Sequence, residues 1–178
     1  MANFITSFNE TIAFEGGYVN NPNDNGGETY RGISRNNFPK WKGWVIVDQY
    51  KKAPFTAKSM NQVLNNNHQL QVLVQDFYKA NFWTPIVGDN IVNQDVANNI
   101  YDFAVNSGVG RAVRYAQRIV GATEDGVMGN VTITAINHNA NFVSIYKKAR
   151  LDFLNKIVAN NPSQKVFLAG WTSRVNNA

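Results

Sequence analysis

Three residues in the first thirty positions have the types and spacing for acid–base work on a glycosidic bond: Glu15, Asp24 and Thr29. Phe4, Ile5, Phe8, Ile12 and Ala13 recur at helical spacing and the pattern stops at Gly16-Gly17, which predicts a first helix ending at Glu15. Unpaired carbonyls and the negative end of the helix dipole disfavour a carboxylate there, and burial beside Phe14 and Tyr18 would act the same way. A carboxyl that keeps its proton is what a general acid needs. Asp24 falls in a turn of Asn and Gly, where hydrogen bonds and water are expected to keep it ionised, and the Thr29 hydroxyl can help it hold a water. A proton donor, an ionised carboxylate and a held water are the parts of glycoside hydrolysis. The same spacing also fits two ordinary surface charges. Asn21, Asn23, Asn25 and Gly26 occupy the first, third, fifth and sixth positions of a calcium loop, but Gly32 stands at the twelfth, where that loop requires a bidentate Glu. The pattern argues against calcium.

The elements that must position these residues are nearly all helical. Residues 16–32, dense in Gly, Asn, Asp and Pro, carry no helical period and read as a structured loop or short hairpin. Ser34 has the type of an N-cap for an irregular segment holding Phe38, Trp41 and Trp44. Helical spacing then covers 45–52, 57–64, 70–82, 95–105, 112–120, 132–136, 142–158 and 163–175, each stretch bounded by Gly, Asn or Pro. The Asn clusters read as helix-terminus and loop chemistry.

Composition removes several classes of function. The chain has 178 residues, 44% hydrophobic and 12% aromatic, with 16% charged and a net charge of +5. That balance can bury a sizeable core and excludes intrinsic disorder. Its longest apolar runs are a handful of residues, far short of the roughly 20 that cross a bilayer. With no cysteine, disulfides, thiolate nucleophiles and Cys-based zinc sites are out. His68 and His138 lack a second ligand at i+3 or i+4 and read as solvated. A pI near 9.5 suits an anionic partner, although the basic residues are scattered.

Glu15-Gly16-Gly17-Tyr18, then Asn21-Pro22-Asn23-Asp24-Asn25-Gly26-Gly27-Glu28-Thr29 and Gly32-Ile33-Ser34, closely resemble the signature of glycoside hydrolase family 108, whose members are phage-type N-acetylmuramidases also described as secretion activators. The likeness continues through Asn81-Phe82-Trp83-Thr84-Pro85 and Asp102-Phe103-Ala104-Val105-Asn106-Ser107-Gly108. Ala116-Gln117-Arg118-Ile119-Val120-Gly121 with Glu124-Asp125-Gly126-Val127-Met128-Gly129-Asn130 resembles the family's peptidoglycan-binding region, and Gly170-Trp171-Thr172-Ser173-Arg174-Val175 its usual close. Departures at Asn21, Asn25 and Asn130 replace no proposed catalytic group.

The resemblance implies a mainly α, lysozyme-like fold in a single compact globule, with residues 1–92 catalytic and 93–178 a peptidoglycan-binding-like helical region packed on them. It implies cleavage of the β-1,4 bond between N-acetylmuramic acid and N-acetylglucosamine, with Glu15 as proton donor, Asp24 orienting the water and Thr29 assisting. A lytic transglycosylase using the same Glu, or a wall-binding secretion accessory without activity, are the alternatives. No cofactor or metal is called for, since two carboxyls and a water suffice. The expected partner is bacterial peptidoglycan, with a holin-like or other export partner, no nucleic acid and no membrane insertion, for a monomer. Because residues 1–10 lack a basic and apolar leader, the protein is expected to be made in the cytoplasm and to act on the wall after release, as a prophage endolysin does.

Several other residues carry two readings at this stage. Tyr18 and Tyr30 flank the proposed acid and Thr29 and could stack on sugar rings, while Trp83 and Trp171 read as core. Asp102 and Asn106 lie one turn apart and either share a cleft with substrate or leave Asn106 as a cap at Gly108. Arg111, Arg114 and Arg118 form one stripe, either a solvated face or a contact with anionic wall polymers such as stem-peptide carboxylates.

Overall fold

The computed structural model describes residues 1–20, 27–52 and 56–178. Its main elements are α1 (Phe4–Ile12), β1 (Tyr18–Asn20), β2 (Glu28–Tyr30), β3 (Ile33–Ser34), α2 (Gly43–Tyr50), α3 (Ala57–Asn66), α4 (His68–Tyr78), α5 (Gln94–Ser107), α6 (Val109–Val120), α7 (Asn130–Asn137), α8 (Phe142–Asn160) and α9 (Lys165–Asn177). This is the mainly α, lysozyme-like class expected, with a small sheet after the first helix. Asparagines do cap helices: Asn3 accepts from the Thr6 N–H, Asn67 from Leu70 and Asn93 from Val96, each satisfying an orphan donor of the first turn.

Two compact units form, one from Met1–Thr11 with Lys79–Ala178, the other from Ile12–Tyr78. All of α1 but its last residue is thus built into the unit that holds the later part of the chain. Phe4 packs on Trp83 and Tyr101 at ring separations of 5.7 and 6.1 Å, and the Ser7 hydroxyl donates to Asn98 at 2.6 Å. Such pairings across ninety residues leave no local mark in sequence.

In the first unit α5 is buried all round from Val96 to Ala104, as a central helix must be, with α6 and α8 packed on it. The Tyr146 hydroxyl donates to the Ala112 carbonyl, tying α8 to α6. Trp83 is fully buried, as expected, whereas Trp171 is only partly covered and stacks on the exposed Phe167.

The second unit carries an antiparallel sheet in the order β1-β2-β3, with Tyr18 opposite Tyr30, Val19 opposite Thr29, and Thr29 also opposite Ser34. Arg31 and Gly32 join β2 to β3 with positive φ at both positions (48° and 74°), the pattern of a type I′ hairpin. Ser34 then caps the irregular segment through Asn37, and Trp44, Val47, Leu64, Leu70, Val74 and Phe77 fill the core among α2, α3 and α4.

Candidate active site

Glu15 lies beyond the end of α1, not in its last turn. The helix closes at Ile12 and the chain tightens, the Glu15 N–H donating to the Ile12 carbonyl at 3.1 Å, an i→i+3 bond of the kind that finishes helices. Phe14, expected to bury the carboxyl, is itself exposed, and Glu15 is half-buried by other groups. Chief among them is the β2–β3 turn. A Cβ at Gly32 would stand 2.7 Å from the Glu15 Oε2 and 2.6 Å from the Tyr78 hydroxyl, so the turn approaches the Glu15 carboxyl as only glycine permits. The Tyr78 hydroxyl donates to the Arg31 carbonyl at 2.7 Å and fixes that turn on α4.

Gly17 plays a similar part on the other side. It has no room for a Cβ because the Asn61 side chain reaches across it to accept from the Tyr18 N–H at 2.5 Å. That bond ties β1 to α3. Thr29 sits at the middle of β2, half-buried, its hydroxyl donating to the Gly27 carbonyl at 3.3 Å. Asp24 and the calcium-like positions Asn21, Asn23, Asn25 and Gly26 lie outside the described residues.

Glu28 is a residue that sequence reasoning passed over. Its side chain is only 10% exposed and accepts from the Tyr18 hydroxyl at 2.8 Å, while Arg35 and Lys51 pair with it at 2.6 and 2.8 Å. Arg35 continues to Asp48 at 2.6 Å and lies over the Trp44 ring. With two cations on it, Glu28 is suited to anchoring the sheet. Burial first, then the hydrogen bond to Glu28, push the Tyr18 hydroxyl up to about 12, and hydrogen bonds from Arg35 hold Asp48 below the usual carboxylate range. The signal available in sequence was a third carboxylate between Asp24 and Thr29, and nothing local shows that Arg35 and Lys51 converge on it.

Two candidate sugar contacts fall in the interior. Tyr30 is fully buried, its hydroxyl donating to Asn65 and accepting from Gln71, because β2 turns that face onto α3 and α4. Asp102, in the other unit, is fully buried on α5 and holds Arg150 and Arg174 as ion pairs. Asn106 donates back to the Asp102 carbonyl and carboxylate instead of capping the Gly108 turn, where the glycine N–H bonds the Ala104 carbonyl. Tyr18 remains half-buried at the start of β1.

The arginine stripe on α6 is partly spoken for. Arg118 pairs with Glu124, and Arg114 packs along Gly126. Gln117, fully buried, grips residues 125–127 through Asp125, the Val127 carbonyl and the Gly126 N–H. Among the described residues no three His, Asp or Glu side chains gather as a metal cluster, and no helix is long and apolar enough to cross a membrane.

A family model described as glycosyl hydrolase 108 matches residues 8–108, more than half of the chain, and one described as "Predicted Peptidoglycan domain" matches 111–176. Among solved structures, the chain is similar to that of Brucella abortus SagA, at 28% identity over 97% of this chain and 89% of that one, with a TM-score of 0.67. No curated protein matches it.

Proposed function

Because the chain belongs to the glycosyl hydrolase 108 family, we propose that it is an N-acetylmuramidase, with Glu15 as general acid and a water held by Asp24 and Thr29. Its two matched regions give it a role on peptidoglycan, as a hydrolase or a wall-binding protein. The finer reading is supported by one observation above the others: the half-buried Glu15 carboxyl against the Gly32 turn, at the head of the hairpin whose second strand carries Thr29. A carboxyl so held can protonate the leaving oxygen of a β-1,4 bond while an ionised carboxylate steers water to the anomeric carbon. In this reading Tyr18, half-buried at the start of β1, packs on a sugar ring. Reaching the wall would call on a holin-like or other export partner.

The test is digestion of purified sacculi by wild-type protein and Glu15→Gln, with soluble products weighed by mass spectrometry. Reducing-end muropeptides from wild type, reduced at least about 100-fold in the folded variant, are expected. Products one water lighter would turn the reading to a lytic transglycosylase. Walls bound but not cut would turn it to a wall-binding accessory.

A further inference from the structure

The first unit holds a cavity of about 260 Å³ between α5, α6, α8 and α9, distant in sequence from the proposed acid and lined by no carboxylate. Three arginines reach its lining. Arg150 is buried, paired with Asp102 and Asn99, yet its Nε is buried with no hydrogen-bond partner. Arg174 donates to the same Asp102 at 2.8 Å. Arg111, at the exposed edge near the start of α6, donates to the Ser107 carbonyl at the end of α5 and lies over the Phe153 ring; among the described residues no carboxylate pairs with it. The remaining wall is mostly apolar, from Phe103, Phe153, Leu154, Ile157, Trp171 and Val175, with Asn106 and Ser107 as its other polar residues.

Cations set in a largely apolar wall select a ligand with one anionic end and a small hydrophobic body, because charge-assisted bonds from a guanidinium offset the lost hydration of a carboxylate while the apolar wall covers the rest of the ligand. The volume falls just below the roughly 300–1,000 Å³ of drug-sized pockets, which suits a terminal residue or dipeptide and not a glycan ring pair. We propose that this cavity binds the free carboxylate end of a peptidoglycan stem peptide, with Arg111 as its entry contact and the aromatic wall packing on the terminal methyl groups. The inference rests on the peptidoglycan reading above and adds to it a site and a ligand class.

Isothermal titration of the full chain with N-acetyl-D-alanyl-D-alanine, the same peptide as its C-terminal amide, and acetate provides the test. Binding of the acid, at least tenfold weaker binding of the amide and of acetate, and at least tenfold weakening by Arg111→Gln or by the cavity-filling Leu154→Trp, are expected. Arg111 is exposed, so its variant keeps the test usable if Leu154→Trp fails to fold. No heat from the acid, equal affinity for acid and amide, equal affinity for acetate, or no effect of Arg111→Gln would overturn the site. The titration needs no catalysis, so its failure leaves glycan cleavage untouched, and a wall left uncut by the protein leaves this binding result standing.

Discussion

Gly32 and Glu15 face each other so closely that a Cβ on the glycine would lie 2.7 Å from the Glu15 Oε2. The glycine also holds φ at 74°, a left-handed conformation that costs other residues about 1–2 kcal/mol. Gly32→Ala should therefore lower stability by about that amount and, by shifting the carboxyl, cut wall digestion by about one to two orders of magnitude. Urea unfolding and muropeptide release measure the two effects separately. Unchanged release from the folded variant would separate this turn from catalysis.

Tyr18 and Glu28 give a pH prediction. The Tyr18 hydroxyl is pushed up to about 12 by burial and by its bond to Glu28, so the folded state favours the neutral phenol. Its contribution to stability is complete below pH 10, the ordinary tyrosine value, and is lost as pH rises from there through about 12. Subtracting the ultraviolet titration of Tyr18→Phe from that of wild type should isolate a phenolate appearing near 12. In Glu28→Gln the same difference should move toward 10, without reaching it, since burial remains.

Asp102 anchors two arginines in the interior, so its removal strands cations away from water. Asp102→Ala should cost about 3–5 kcal/mol of stability, read as a drop in the urea midpoint. A substrate contact would behave otherwise, losing wall binding or cleavage with the midpoint unmoved.

Gln117 accepts one hydrogen bond and donates two to residues 125–127 while fully buried. Gln117→Ala should cost about 2–3 kcal/mol, at roughly 1 kcal/mol for each bond. Protease should cut between residues 121 and 129 sooner in the variant than in wild type. Equal cleavage rates would show that the segment holds its shape without this side chain.

Much of this protein is written locally in its sequence. Helices are legible because apolar residues repeat every three to four positions and because Asn3, Asn67 and Asn93 have side chains that satisfy the first-turn donors. The hairpin after the first helix is legible from its Gly and Asn density. Helix one nevertheless ends at Ile12, three residues before Glu15, because the closing turn tightens in a way that apolar spacing does not record.

Tertiary structure alone decided the rest. Sequence placed Tyr30 beside Thr29, but strand alternation can point a side chain to either face, and only packing on α3 and α4 sent it into the core. Sequence offered Asp102 to a substrate cleft because it lies one turn from Asn106; Arg150 and Arg174, 48 and 72 positions away, made its burial possible. Glu28 gained Arg35 and Lys51 in the same manner, and α1 gained Trp83, Tyr101 and Asn98. Periods and caps act over one turn of chain and are carried by neighbours in sequence, whereas charge compensation and core contacts act over a few ångströms between residues that only folding brings together.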